Sequence, residues 1–170
     1  VYFRRDIRNG IGYDCVNFRY FNFVDQRVDG VELELLVRPV KKLSITANYT
    51  YTGGDEKTQS RKSTNDTTYN YLLRRPKSSF NLNAGYQFTK GLYAAISARA
   101  VGDRYDVGGY QKEDVLLENY FLLGLYAEYN WKDRFRFFLD AQNLTNTRFF
   151  DLRGYNSIPF LVNAGVTFSW

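Results

Sequence analysis

Hydrophobic and polar residues alternate along most of this chain with a period of two, the spacing that sends successive side chains to opposite faces of a strand. Leu43, Ile45, Ala47, Tyr49 and Tyr51 share one face, and Ser44, Thr46, Asn48, Thr50 and Thr52 the other. Phe80, Leu82, Ala84, Tyr86 and Phe88 oppose Asn81, Asn83, Gly85 and Gln87 in the same way. Phe135, Phe137, Leu139 and Ala141 oppose Arg136, Asp140 and Gln142, with Phe138 as the one exception. The closing "VNAGVTFSW" sets Val162, Ala164, Val166, Phe168 and Trp170 against Asn163, Gly165, Thr167 and Ser169. The pattern predicts an all-β chain of eight strands: Val1 to Tyr13, Asn17 to Arg38, Leu43 to Thr52, Ser78 to Phe88, Leu92 to Tyr105, Glu118 to Trp131, Arg134 to Leu144 and Pro159 to Trp170.

The connections carry as much information as the strands. Only "PVKK", "TKG" and "KD" separate strands two and three, four and five, six and seven, whereas the connections between them are long and polar. In an up-and-down meander this alternation gathers the short turns at one end, together with the C-terminus. That is the layout of an antiparallel transmembrane β-barrel of the outer-membrane type, apolar outside and polar inside. Aromatics reinforce it. Tyr86, Phe88, Tyr93, Tyr129, Trp131, Phe135, Phe137, Phe168 and Trp170 flank the short turns, where an interfacial girdle is expected. Tyr49, Tyr51, Phe80, Tyr120, Phe121 and Phe160 are placed to form the opposite girdle. A soluble sandwich or lipocalin-like barrel shares the alternation but has no reason to segregate loop length by end.

Composition then removes whole classes of chemistry. The chain has no His and a single Cys, Cys15, which excludes histidine-based triads, cysteine zinc clusters and a disulfide framework. The expectation is a protein that is not an enzyme and holds no cofactor or metal. Net charge is +5, with the basic residues dispersed between apolar segments rather than collected on a stacking face, so no nucleic-acid partner is expected. No apolar run reaches the roughly 18 residues of a transmembrane helix. Val1 to Ile7 reads as strand, with Arg4, Arg5 and Asp6 inside it, and not as a leader; the expectation is a fragment of something longer.

By parity, Glu32, Glu34, Arg99, Glu128, Arg136 and Asp140 fall on the polar, lumen-facing side, as wall charges. Glu32 and Glu34 are too isolated from any cleft to read as a hydrolytic pair. Asp55, Glu56 and Asp66 in "GGDEKTQSRKSTNDTTYN" have oxygen donors suited to calcium, but their spacing fits no calcium loop. Arg74 and Arg75 read as solvated loop charges, with lipopolysaccharide phosphate as the alternative. Asn143 reads as a turn former. Val166, Phe168 and Trp170, alternate residues of the last strand, resemble the signal by which the barrel assembly machinery recognises outer-membrane proteins.

Several segments resemble the C-terminal barrel region of TonB-dependent outer-membrane receptors: "VDGVELELLVRPVKKLSITANYTYT" at 28–52, "LLRRPKSSFNLNAGYQF" at 72–88, "ARAVGDRYD" at 98–106 and "FFLDAQNLTNTRFFDLRGY" at 137–155. Their order and spacing carry the resemblance over nearly the whole chain. It implies a single barrel region over residues 1–170, the last eight strands of a barrel of about 22, with the plug domain absent. It further implies a receptor in the outer membrane of a Gram-negative bacterium. Such a receptor takes up a small nutrient of the cobalamin or iron-siderophore type, powered by the TonB complex through the missing plug. The "RRDIRNGIGYD" opening and "GDRYD" resemble the cobalamin branch most. Lipid and lipopolysaccharide are the surrounding partners implied. The alternative is a self-contained eight-stranded outer-membrane barrel with a structural or adhesive role.

Overall fold

The computed structural model describes residues 1–14, 19–63, 65–109, 111–132 and 134–170. Cys15 lies outside them. The described residues contain strands and no helix: β1 (Tyr2–Asp14), β2 (Arg19–Val40), β3 (Leu43–Gln59), β4 (Asp66–Tyr69), β5 (Ser78–Gln87), β6 (Leu92–Val101), β7 (Arg104–Asp106), β8 (Val115–Leu117), β9 (Tyr120–Trp131), β10 (Phe135–Gln142) and β11 (Leu161–Phe168). The main sheet runs β1-β2-β3-β5-β6-β9-β10-β11, every pair antiparallel and each wall strand beside the wall strand that follows it, with the short β4, β7 and β8 lying in the connections. This is the wall of an antiparallel β-barrel, traced as an up-and-down meander. Among the described residues β1 and β11 do not pair, so the sheet is open, whereas a self-closed eight-stranded barrel requires that pair.

Register fixes the two faces. Glu34 pairs with Asn48, Asn48 with Asn81, and Asn81 with Arg99, so all share one face. Behind them Leu35 pairs with Ala47, Ala47 with Leu82, and Leu82 with Ala98. Ile96, Leu33, Leu35 and Val166 on that apolar face are more than half exposed, which a sheet tolerates where its outer surface meets hydrocarbon. Slipping any pair by one residue exchanges the faces, so the alternation pins the register.

β3 exceeds its predicted length, and β2 keeps its length but lies two residues further along the chain. β2 and β3 stay paired from Val40 and Leu43 out to Asp25 and Lys57, well beyond the apolar band that ends at Val31 and Tyr51. Past it, the same face carries Asp55 together with Asp29, Arg27 and, on β1, Arg4 and Asp6, the last four joined by ion pairs of 3.1 to 3.8 Å. β4 folds back on the outer end of β3. β6, by contrast, stops at Val101; Arg104 to Asp106 leave the wall as β7 and pair with β8.

Aromatics cap the short-turn end on the apolar face. Ring centroids lie 5.6 Å apart for Trp131 and Phe135, 4.9 Å for Phe135 and Phe168, and 6.0 Å for Phe168 and Trp170. Two rings expected in girdles sit on the polar face instead. Tyr93 pairs with Gln87 and Glu128 and lies over Gly85, where an added Cβ would be 2.1 Å from the tyrosine hydroxyl. Tyr120 pairs with Val101 and turns into the loops. The exceptional Phe138 covers Gly165 similarly, its ring 2.6 Å from the site of a Cβ. Glycines on the polar face thus make room for rings that pack flat across the strands.

Candidate functional site

Three long connections, β3 to β5, β6 to β9 and β10 to β11, meet at one end of the sheet. Their chemistry begins with Asn143, at the end of β10. Its side-chain oxygen accepts from Thr147 N–H at 2.9 Å, and its amide donates to the carbonyls of Thr147 and Ile158 at 2.9 and 3.1 Å. With φ of 50° at both Asn143 and Asn146, the "NLTN" sequence turns the chain out of the wall, asparagine being among the residues that tolerate this backbone region. Asn143 is a turn former, as its sequence context suggests.

The "GDRYD" segment braces the loops residue by residue. Asp103 accepts from the backbone and side-chain amides of Asn119 at 2.8 and 3.1 Å, closing the base of its own loop. Arg104, 3% exposed, donates to the Phe150 carbonyl and to Asp151, and its guanidinium lies 5.1 Å from the Tyr120 ring. Tyr105 stacks on Tyr71 at 3.9 Å. Asp106, 1% exposed, accepts from Arg74 Nε at 2.6 Å, Arg153 N–H at 2.7 Å and Val107 N–H at 2.8 Å. One carboxylate therefore ties all three connections together. Burial alone pushes its pKa up; the Arg153 N–H, the Arg74 guanidinium and the Val107 N–H outweigh that and hold it below the ordinary carboxylate value.

A second brace lies further out. Arg61 spans Glu56 at 2.8 Å and Asp114 at 2.6 Å, and Asp114 also accepts from the Tyr71 hydroxyl at 2.8 Å. Burial, then the bond to Asp114, raises the Tyr71 phenol well above its usual value. Lys62 and Glu113 form an exposed ion pair alongside. Among the described residues, two buried atoms in these braces, Arg104 Nη1 and Asp114 Oδ1, find no hydrogen-bond partner.

Below the loops the polar face forms a hollow of about 450 Å³ across β3, β5, β6, β9 and β10, lined by Asn48, Asn81, Asn83, Arg99 and Asp140 among others. Asn81 donates to Asn48 at 2.8 Å, and Gln142 to Asp140 at 2.7 Å. The register places all six predicted wall charges on this face, but it does not gather them. Arg99 and Asp140 share the hollow; Glu128 lies toward the short turns, bonded by Tyr126 and Asn130; Arg136 pairs with Asn130; Glu32 and Glu34 stand apart on β2. Val166, Phe168 and Trp170 lie on the opposite, apolar face at the short-turn end, more than half exposed or close to it. Asp55 and Glu56 project to opposite sides of β3, and among the described residues no three acidic or sulfur ligands converge on a metal position. The buried roles of Arg104 and Asp106 were not readable in the sequence; a charged Arg and Asp flanking one tyrosine was the signal available.

A meandering antiparallel wall, polar on one face and apolar on the other, with long loops braced above a hollow, is the architecture of part of a β-barrel. The family model described as "TonB dependent receptor-like, beta-barrel" matches residues 1–144, and the chain belongs to that family. A search of curated proteins found no match. Among solved structures, the pyoverdine outer-membrane receptor FpvA from Pseudomonas aeruginosa superposes with a TM-score of 0.78 at 16% identity, covering 99% of this chain and 26% of that one. The ferric-catecholate import receptor Fiu from E. coli gives 0.73 at 21% identity, over 96% and 24%. The FrpB iron transporter from Neisseria meningitidis gives 0.73 at 18%, over 98% and 28%. The chain thus spans about a quarter of the length of the structures it matches.

Proposed function

We propose that this chain forms the C-terminal part of the wall, with its outer loops, of a TonB-dependent receptor in the outer membrane of a Gram-negative bacterium. The receptor takes up a scarce nutrient of the iron-siderophore or cobalamin type, with energy delivered through TonB. The observation carrying this reading is the continuous polar face. It runs from Glu128 near the short turns to Arg99 and Asp140, and opens into the hollow beneath the braced loops. A wall of that kind suits a passage, and the six wall charges face a plug or a moving ligand. Two of the solved neighbours are named for iron, a ferric-catecholate import receptor and an iron transporter, which favours iron over cobalamin. The apolar face meets lipid and lipopolysaccharide, and Val166, Phe168 and Trp170 serve the assembly machinery.

The test is uptake of radiolabelled iron-siderophore and of cobalamin by cells whose only receptor is the full-length protein containing this chain. Accumulation of one of them that disappears when TonB is deleted is the expected result. Accumulation of neither, with the protein correctly assembled, would sink the proposal.

A further inference from the structure

The basic residues are dispersed along the sequence, but the fold collects six of them. The short turns of the wall all lie at one end: residues 38–42 where β2 turns into β3, 89–91 where β5 turns into β6, and 132–134 where β9 turns into β10. They hold Arg38, Lys41, Lys42, Lys90, Lys132 and Arg134 against a single acid, Asp133. The chain has 23 Lys and Arg and 18 Asp and Glu; outside these turns 17 of each remain, so the turns carry the entire net charge of +5. At the long-loop end, charges are paired: Arg4, Arg27, Arg61, Lys62, Arg74 and Arg104 each meet a carboxylate. Among the described residues, none of the six short-turn cations does, and all six are exposed.

Their height and side point to one occupant. Val40 pairs with Leu43 and Trp131 with Phe135, so these two turns hold their cations within two residues, roughly 7 Å, of the last wall pair. The rings of Trp131, Phe135, Phe168 and Trp170 stand at that height on the apolar face. Lys132 Nζ lies 4.8 Å from the centre of the Trp131 ring, which holds this ammonium on the outward side of the wall and not over the lumen. Lys42 Nζ donates to the Phe88 carbonyl at 3.3 Å, next to the exposed Phe88 ring. Successive turns are two strand spacings, roughly 10 Å, apart, so the charges form a row along the rim. Cations beside half-submerged rings fit a layer of lipid headgroups. A soluble anionic partner would gain nothing from the rings, and turns this short do not project away from the bilayer.

We infer that the short-turn rim binds the phosphate headgroups of anionic glycerophospholipids in the periplasmic leaflet, the row of cations selecting them over zwitterionic lipid. This rests on the outer-membrane placement proposed above and is independent of the nutrient.

The full-length receptor, purified in neutral detergent, should be titrated with phosphatidylglycerol and with zwitterionic phosphatidylethanolamine, and the bound lipids counted by native mass spectrometry. Phosphatidylglycerol should bind roughly tenfold more tightly. Replacing Lys41, Lys42, Lys90 and Lys132 together by Gln should remove that preference, and replacing the same four by Arg should keep it. The same number of charges removed at the other end, by Gln at Lys57, Lys62, Lys77 and Lys112, should leave it intact. Added salt should erode the preference of the native protein, a reading that needs no variant. No preference in the native receptor, or equal loss in both Gln variants, overturns the inference. So does a short-turn Gln variant that keeps its lipid preference but no longer binds isolated peptidoglycan, whose carboxylates would then be the partner. A receptor that enters no bilayer overturns the outer-membrane placement along with it.

Discussion

The wall and the loop cluster are built from the same residue types but held by different physics. In the wall, each strand pairs with its sequence neighbour, and stability comes from a continuous ladder and an apolar outer face. In the loops, partners lie far apart in sequence and few atoms do the joining: Arg74 reaches Asp106 across 32 residues, and Arg104 reaches Asp151 across 47. The ladder is redundant, so one lost hydrogen bond is shared among many. The brace is not. A buried carboxylate with three donors leaves them all unpaired when it is removed.

The most damaging change should fall on the wall's assembly. Deleting Phe168 to Trp170 removes the rings that close the aromatic strip of β10 and β11, and is expected to block insertion. Loss of the heat-modifiable gel species would show it; normal insertion would leave Trp170 as a mere interfacial anchor. Next, Ile96→Arg, which puts a charge in mid-strand on the apolar face, should cost about 2–4 kcal/mol in denaturant unfolding. Asn83→Arg, on the neighbouring strand but the polar face, should cost far less. A larger cost for Asn83→Arg would mean that the faces are reversed, and equal effects that the sheet is not lipid-exposed.

Smaller effects should be confined to the loops. Asp106→Asn is expected to cost about 1–2 kcal/mol of local stability, the half-exposed Arg74 partner keeping it modest. Amide exchange should rise in residues 60–77, 102–119 and 143–160 and stay unchanged in β5, β6 and β9. Lys62→Ala, at an exposed pair, should change nothing measurable. Acid should reproduce the Asp106 effect reversibly. Its carboxylate is held below its ordinary value, so the clasp is at full strength above about pH 4 and weakens as pH falls through the lowered folded-state value. Exchange measured at descending pH and corrected for intrinsic rates should show loops opening before the wall. Simultaneous opening would remove the distinction.

This contrast also explains what was legible in the sequence. The eight wall strands were, because period two is a local signal and each strand needs only its own residues to show it. Ends were less so: β3 continues through Gly53 and Gly54 to Gln59, since pairing with β2 carries it through glycines that read as a turn. β4, β7 and β8 exist only because partners already stand beside them. Aromatic character alone points Tyr93 and Tyr120 to a girdle, but parity decides the face, and Tyr93 is in step with Ser97 and Arg99. Arg104 falls inside the predicted fifth strand and Asp106 just past its end, and nothing local shows that Arg74 and Arg153 will arrive beside Asp106.

The position of Asp106 bears on how such a receptor can be altered. Because one carboxylate serves residues from three separate connections, these loops are not interchangeable modules. A transplant of 143–160 alone brings a foreign residue against Asp106, and a transplant of 60–77 alone discards its cation. Redesign of the outer surface, whether by recombination in nature or at the bench, would have to move the three loops as one cassette or supply a new keystone.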